Sequence, residues 1–162
     1  MKQSPYTSGK YLSERPDWHS EDSSWKADNV IKLIKQNSLF AKYITEVGCG
    51  VGEILNSLHQ NMNEDCVFNG YDISPQAIRK AKNLERSRLS FHNKNLLDIK
   101  IEQKQDLLLI IDVIEHIEDI FGFLRKIRLH GKYKIFHIPL DLSVLSVARK
   151  KPLILSRNQV GH

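Results

Sequence analysis

The sequence has few cysteines, no long apolar run and no internal repeat, and each absence excludes a class of protein. Cys49 and Cys66 are too few for a disulfide-stapled fold, and neither lies at zinc-ligand spacing. The longest apolar run, residues 107–111, is far shorter than the roughly 20 residues that cross a bilayer. Residues 1–6 lack the apolar segment of a secretion signal. The sequence therefore predicts a cytoplasmic protein without a membrane segment or a metal site.

Chain length and net charge limit the number of domains and the kinds of partner. The 162 residues, of which 41% are hydrophobic, can bury one substantial core. Lys and Arg number 24 and Asp and Glu 19, so the formal net charge is +5. The basic residues cluster at 79–88 and 125–134, where solvated helix faces explain them. Because no aromatic side chains alternate with these clusters, nucleic acid is not an expected partner.

The first 40 residues differ in character from the rest. Residues 1–22 carry tyrosines, Trp18 and two prolines, which is too aromatic for a plain disordered tail. A helix is predicted from residue 23 or 24 to about 35, with one apolar face made of Ala27, Val30, Ile31 and Ile34. We therefore expect residues 1–40 to form an N-terminal cap and residues 41–162 to form the core domain.

Strand and helix patterns alternate from residue 43 onward. Strands are predicted at 43–47, 66–71, 89–92, 106–111 and 133–138. Helices are predicted at 52–60, at 75–85 after a Ser74-Pro75 start signal, and at 117–129. This alternation is typical of an α/β fold, a Rossmann-like, doubly wound and mostly parallel sheet flanked by helices. Ligands of such sheets bind beyond the carboxyl ends of the strands.

A glycine-rich turn follows the first predicted strand. Residues 46–52 read E-V-G-C-G-V-G, and a predicted helix begins directly after them. Glycine lets the backbone turn sharply and a ligand approach it closely, and free N–H groups at a helix start attract anions. Glycine-rich turns are also common between strands and helices that bind nothing. The turn alone therefore indicates a binding site without identifying its ligand.

Asp72 stands at the end of the second predicted strand, twenty residues beyond Gly52. A carboxylate at this place can accept both hydroxyls of a ribose, although an isolated Asp here is more often a turn or capping residue. The nucleoside could belong to NAD or to S-adenosylmethionine. The dinucleotide spacing is G-x-G-x-x-G, whereas this chain has G-x-G-x-G preceded by Glu46, which favours S-adenosylmethionine.

These segments resemble motif I and the following strand end of the class I S-adenosylmethionine-dependent methyltransferases. Residues 93–98 look like the family's adenine-binding turn, in which either Asn95 or Asp98 accepts from the adenine amine. Residues 112–116 are similar to the family's D/E-V-L/I-E-H segment beside the sulfonium. The resemblance implies cofactor contacts at Glu46, Gly48, Cys49, Gly50, Gly52, Asp72, Ile73, Asn95, Leu96, Asp112 and Val113.

The resemblance implies methyl transfer to O or N of a small-molecule acceptor, with S-adenosylhomocysteine as product. Catalysis by displacement at a methyl group is largely positioning, and a hydroxyl acceptor gains from a general base. Three histidines are candidates for that base: His116, His137 and His19. Two other functions compete, a catalytically incompetent module that binds cofactor or a protein partner, and a nicotinamide-dependent oxidoreductase.

The sequence departs from the family in its number of strands. Five strands of the usual seven are predicted, so the core looks shortened at its C-terminus. An unpaired strand edge invites association. We therefore expect either reduced stability or self-association, as a homodimer formed through the exposed sheet edge or through residues 140–155, unless residues 140–155 cover that edge.

Overall fold

The computed structural model describes residues 22–99 and 105–139, which form one parallel sheet with helices on both faces. The predictions for His19, Trp18 and residues 140–155 lie outside these ranges. The helices are α1 (Ser23–Gln36), α2 (Glu53–Asn61), α3 (Pro75–Ala81) and α4 (Ile120–Ile127). The strands are β1 (Tyr43–Val47), β2 (Val67–Asp72), β3 (Leu89–Asn93), β4 (Gln105–Ile111) and β5 (Gly131–His137). Short 3₁₀ turns lie at Lys82–Leu84, Leu96–Asp98 and Ile114–His116.

The five strands of the described ranges lie in the order β3-β2-β1-β4-β5, and every neighbouring pair is parallel. In the centre, Ile44 of β1 lies opposite Phe68 of β2 and Leu107 of β4. The chain runs outward from β1 to β3 and then returns to β4, so the strand order reverses between β1 and β4. The predicted doubly wound sheet is confirmed, and the edge at which sheets of this kind bind ligands is here the carboxyl end of β1 and β4.

Two apolar clusters cover the two faces of the sheet. One face carries Ile44, Phe68, Leu107 and their neighbours, and α1, α2 and α3 pack on it. The other carries Val47, Leu108 and Ile110, which contact Phe123 and Ile127 of α4. Because β4 is covered on both sides, nearly all of its residues are buried, as its continuous apolar run predicts.

Helix α1 buries the predicted face, with Ala27, Val30 and Ile34 in the core and Ile31 packed at its border. Lys26 is buried on the same side, since it precedes Val30 by four residues and Ile34 by eight. A lysine on an apolar stripe is costly unless its ammonium group is paired. Its partner lies at the far end of β4, as shown below.

The largest departure from the predicted elements follows β4. The sequence predicts one helix over 117–129, whereas the structure has the 3₁₀ turn Ile114–His116 and then the shorter α4. Asp119 sets the start of α4, because its Oδ1 accepts a hydrogen bond of 2.8 Å from the N–H of Gly122. The strand boundaries shift by no more than two residues.

Both cysteines are buried and free. Within the described ranges, each helix is too short or too polar to cross a lipid bilayer. The same ranges contain no cluster of three or more His, Cys, Asp or Glu side chains arranged to hold a metal ion.

Candidate active site

The glycine-rich turn bends through three residues in left-handed conformations. Gly48, Gly50 and Gly52 have φ of 70°, 54° and 87°, a region that side chains with a Cβ disfavour. A Cβ on Gly48 would lie 2.5 Å from Cγ2 of Val113, and one on Gly52 would lie 2.5 Å from Cζ of Phe91. Glycine is therefore required at positions 48 and 52 by both backbone conformation and packing.

Asp72 joins the glycine-rich turn to the end of β2. Its Oδ2 accepts from the N–H of Gly50 at 2.9 Å, and its Oδ1 accepts from the N–H of Ser74 at 2.7 Å. Burial raises the pKa of Asp72, and these backbone N–H groups oppose that rise. A carboxylate offers about four lone-pair positions. Although Asp72 also takes a backbone hydrogen bond from Ile73, it keeps acceptor capacity for a further donor, such as a hydroxyl of a ribose.

Glu46 is fully enclosed beneath the turn and is 1% exposed. Its Oε2 has no hydrogen-bond partner among the described residues. Burial, together with the charges of Asp72 and Asp112, raises the pKa of Glu46 from its ordinary 4.5 to about 8, against a smaller lowering by Lys26. The carboxyl group therefore carries a proton at neutral pH in most molecules and holds one unused polar atom.

The turn after β3 engages both polar atoms of Asn95. Its Oδ1 accepts from the N–H of Leu97 at 3.1 Å, and its Nδ2 donates to Oδ2 of Asp98 at 3.0 Å. Leu96 points into the core at 1% exposure. Asn93, which the sequence analysis did not single out, donates from Nδ2 to the carbonyl oxygen of Asp72 at 3.0 Å and so ties β3 to β2.

Asp112, directly after β4, lies at the centre of a partly buried polar network. Lys26 Nζ donates to its Oδ2 and His137 Nδ1 bonds to its Oδ1, both at 2.6 Å. Burial raises the pKa of Asp112, but the hydrogen bonds and charges of Lys26 and His137 outweigh burial and leave this pKa below its ordinary value. The carboxyl group is thus an anion held at both oxygens.

The ring of His137 takes its orientation from Asp112. An ionised carboxylate can only accept, so Nδ1 of His137 must carry the proton in this bond. Among the described residues, this is the only hydrogen bond to the ring, so Nε2 is directed elsewhere. The ring of Trp25 meets that of His137 edge-on, with 6.0 Å between centroids. Trp25 is 59% exposed, so this aromatic pair borders solvent.

The remaining predicted residues lie along the same edge of the sheet. Cys49 is buried inside the turn, and burial raises the pKa of its thiol well above the ordinary range. Ile73 is half-exposed directly after Asp72, and Val113 packs against Gly48. His116 ends the 3₁₀ turn that follows Val113, where its N–H donates to the carbonyl of Val113. Cofactor-site candidates from all four strand ends are therefore brought to one edge.

One side chain at this edge, Lys26, was missed in the sequence analysis, whereas Trp25 belongs to the N-terminal cap predicted there. The available signal for Lys26 was its place on the apolar stripe of α1. Nothing in the sequence indicates its partner, since Lys26 and Asp112 are 86 residues apart.

Comparison with known families decides between the two cofactors considered in the sequence analysis, NAD and S-adenosylmethionine. The family described as methyltransferase domain matches residues 45–132, from the middle of β1 into β5. The chain belongs to this methyltransferase family. The cofactor of the family is S-adenosylmethionine, in agreement with the G-x-G-x-G spacing. Lys26 and His137 flank the matched segment, whereas Asp112 lies within it.

Solved methyltransferase structures share the fold. BpumL, the plantazolicin methyltransferase in complex with a triazolic desmethylPZN analog and SAH, superposes with TM-score 0.64 at 16% identity, over 94% of this chain and 58% of that one. A S-adenosylmethionine-dependent methyltransferase from Clostridium acetobutylicum ATCC 824 gives 0.58 at 21% identity, over 68% and 48%. Residues 961–1257 of StiE O-MT give 0.50 at 25% identity, over 56% and 34%. No curated protein matches.

The coverage and identity values limit what is shared. The chain spans between about a third and three fifths of the length of these three structures. At 16% and 21% identity, BpumL and the Clostridium protein establish the class I fold of this methyltransferase chain and not its acceptor.

Proposed function

We propose that this chain binds S-adenosylmethionine at the carboxyl edge of the sheet and transfers its methyl group to O or N of a small-molecule acceptor. The observation that carries this proposal is the hydrogen bond from Gly50 N–H to Asp72, because it makes the glycine-rich turn and the acidic strand end a single site. A turn and a carboxylate that merely terminated their strands would not need to be joined.

The residues fit the parts of the cofactor by their chemistry. Asp72 keeps acceptor capacity for the ribose hydroxyls, and the half-exposed Ile73 supplies an apolar contact for the adenine, whereas the buried Leu96 can offer only its backbone. Both polar atoms of Asn95 are engaged, so we assign the adenine amine to Asp98, whose Oδ1 has no partner among the described residues. Glu46, Gly48, Cys49, Gly50, Gly52 and Val113 surround the methionine part in this assignment.

Charge at the site complements the cofactor. S-adenosylmethionine supplies a methyl group activated by a positively charged sulfur. Glu46 holds a proton at neutral pH and Asp112 is paired with Lys26, the one buried Lys or Arg side chain in the described ranges, so Asp72 is the unpaired carboxylate of the three. A carboxylate near the positively charged sulfur stabilises the bound cofactor.

We propose His137 as the general base for a hydroxyl or ammonium acceptor. The hydrogen bond to Asp112 fixes Nδ1 as the protonated nitrogen and leaves Nε2 to receive a proton. His116 and His19 remain the other candidates. His116 stands on the turn behind Val113 and His19 lies outside the described residues, so the available geometry favours His137.

We also propose that the N-terminal 40 residues contribute to the acceptor side of the site. Trp25 of α1 borders the ring of His137 and is more than half exposed.

We propose self-association through the outer edge of β5, beside which Phe136 and Ile138 expose apolar surface. A molecular mass by light scattering that does not rise with concentration would contradict it.

The function is tested by transfer of isotopically labelled methyl groups from S-adenosylmethionine to a panel of small hydroxyl and amine compounds. We expect transfer to at least one compound, and loss of most of that transfer in His137→Asn with cofactor affinity retained. Cofactor binding without transfer to any acceptor would support the incompetent module instead. Transfer that is undiminished in His137→Asn would exclude His137 as the base.

A further inference from the structure

We propose that Lys26 is a positioning residue for the reaction: it holds Asp112 in the orientation in which Asp112 fixes the protonated nitrogen of His137. This inference rests on the proposed function, since it gives His137 its role as base. Lys26 does not touch His137 in this arrangement. It acts through the second oxygen of the shared carboxylate.

The first support is the burial of Lys26. Its side chain is 10% exposed and its Nζ lies 2.6 Å from Oδ2 of Asp112. An ammonium group in such a place loses most of its hydration, which costs several kcal/mol unless a partner of opposite charge replaces the water. A surface lysine elsewhere on α1 would serve solubility equally well. The buried position therefore requires a specific contact, and Asp112 provides it.

The second support is the backbone conformation of Asp112. Its φ is 55°, one of three positive values at residues other than glycine in the described ranges. Such a conformation is uncommon for residues other than glycine and persists where surrounding contacts enforce it. Three contacts do so: Lys26 at Oδ2, His137 Nδ1 at Oδ1, and the N–H of Asp112 to the carbonyl oxygen of His137 at 3.1 Å.

The third support is that the two oxygens of Asp112 have different partners, Lys26 at Oδ2 and His137 at Oδ1. A carboxylate that is hydrogen-bonded through only one oxygen can rotate and replace that hydrogen bond with one to water. With Lys26 on Oδ2, rotation would break a charge-assisted bond, so Oδ1 stays directed at Nδ1 of His137. Glu46 is electrostatically coupled to both Asp112 and Lys26, but it is a carboxyl group and cannot replace the cation.

The fourth support is the origin of the three residues. Asp112 belongs to the segment matched by the family, whereas Lys26 precedes that segment and His137 follows it. Helix α1 is anchored on the sheet by Ala27, Val30 and Ile34, so Lys26 projects from a fixed element. We infer that α1 completes the active site and does more than cover the sheet.

The test is a proton–nitrogen NMR spectrum of the histidine rings, recorded without cofactor at about pH 8. The His137 signals are assigned by their absence in His137→Asn. In the parent we expect a slowly exchanging proton on Nδ1 and an unprotonated Nε2. In Lys26→Met, which keeps the aliphatic stem, we expect that proton signal to be lost through exchange with water. Lys32→Met, an exposed change on the same helix, should leave it in place.

The outcomes separate this inference from the proposed function. An unchanged Nδ1 proton in folded Lys26→Met would overturn the positioning role, even if the parent binds S-adenosylhomocysteine. If Lys26→Met does not fold, the parent spectrum still decides, because a proton on Nε2 and not on Nδ1 would contradict the arrangement. Failure of the parent to bind S-adenosylhomocysteine would remove the proposed function whatever the spectra show.

Discussion

The ring of Phe91 on β3 fills the space beside Gly52, so that a Cβ on Gly52 would lie 2.5 Å from its Cζ. The packing of Phe91 therefore leaves no room for a side chain at Gly52, the third glycine of the turn. The φ of 87° at Gly52 adds a second reason for glycine, because a side chain disfavours that conformation.

We expect Gly52→Ala to lower the free energy of unfolding by roughly 2–4 kcal/mol, from left-handed strain and overpacking together. Urea denaturation measures the loss. The matched control is the same change in a Phe91→Leu background, where Cζ is absent. There the loss should shrink to the part caused by backbone strain, about 1–2 kcal/mol. Equal losses in both backgrounds would show that Phe91 does not confine this position.

Asp72→Asn tests the ribose assignment. Asparagine has one acceptor oxygen in place of two, so it cannot accept from Gly50, Ser74 and two hydroxyls together. We expect the affinity for S-adenosylhomocysteine to fall by about 1–3 kcal/mol, measured by calorimetry.

Asp106→Asn is the matched control for this change. Asp106 likewise accepts two backbone N–H groups, from Lys42 and Tyr43, each at 2.9 Å, but it lies at the opposite end of the sheet. Its replacement should affect stability and leave the affinity unchanged. If both variants bind as the parent does, the ribose lies elsewhere.

The raised pKa of Glu46 makes the stability of the fold depend on pH. Its pKa is about 8 in the folded chain against an ordinary 4.5, so the folded state holds a proton that the unfolded state releases. The resulting stabilisation is full below pH 4.5 and is lost as pH rises towards 8. Glu46→Gln removes this titration.

We therefore expect the stability of Glu46→Gln relative to the parent to rise by a few kcal/mol between about pH 5 and about pH 9, on a scale of about 1.4 kcal/mol per pKa unit. Urea denaturation at both pH values measures the difference. Glu118→Gln, an exposed change, is the control and should follow the parent. A relative stability of Glu46→Gln that does not change with pH would mean that Glu46 is already ionised in the fold.

The fold was predictable because its signals are local. Residues 43–47 form β1 with the boundaries that the sequence predicts, and Ser74 and Pro75 begin α3, with the Ser74 hydroxyl accepting from the N–H of Ala77 at 3.2 Å. The apolar run of β4 predicts a strand inside the sheet, and β4 does lie between β1 and β5. Periodicity and capping depend on neighbours in sequence, so they are readable without tertiary contacts.

The details of the site depend on contacts between residues that are distant in sequence, so they were harder to predict from the sequence than the fold. Gly52 was assigned to the cofactor, yet its nearest constraint is Phe91, which lies two strands away from β1 in the sheet. Lys26 and His137 converge on Asp112 from 86 and 25 residues away. No spacing rule connects such residues, because the order of the strands brings them together.

Calorimetric binding of S-adenosylhomocysteine to the 162-residue chain, with NAD as control, tests the central claim most directly. Methyltransferase membership together with the Gly50–Asp72 site predicts micromolar binding of S-adenosylhomocysteine and no binding of NAD. Binding of NAD without S-adenosylhomocysteine, or binding of neither, would contradict the claim that this sheet edge is a working cofactor site.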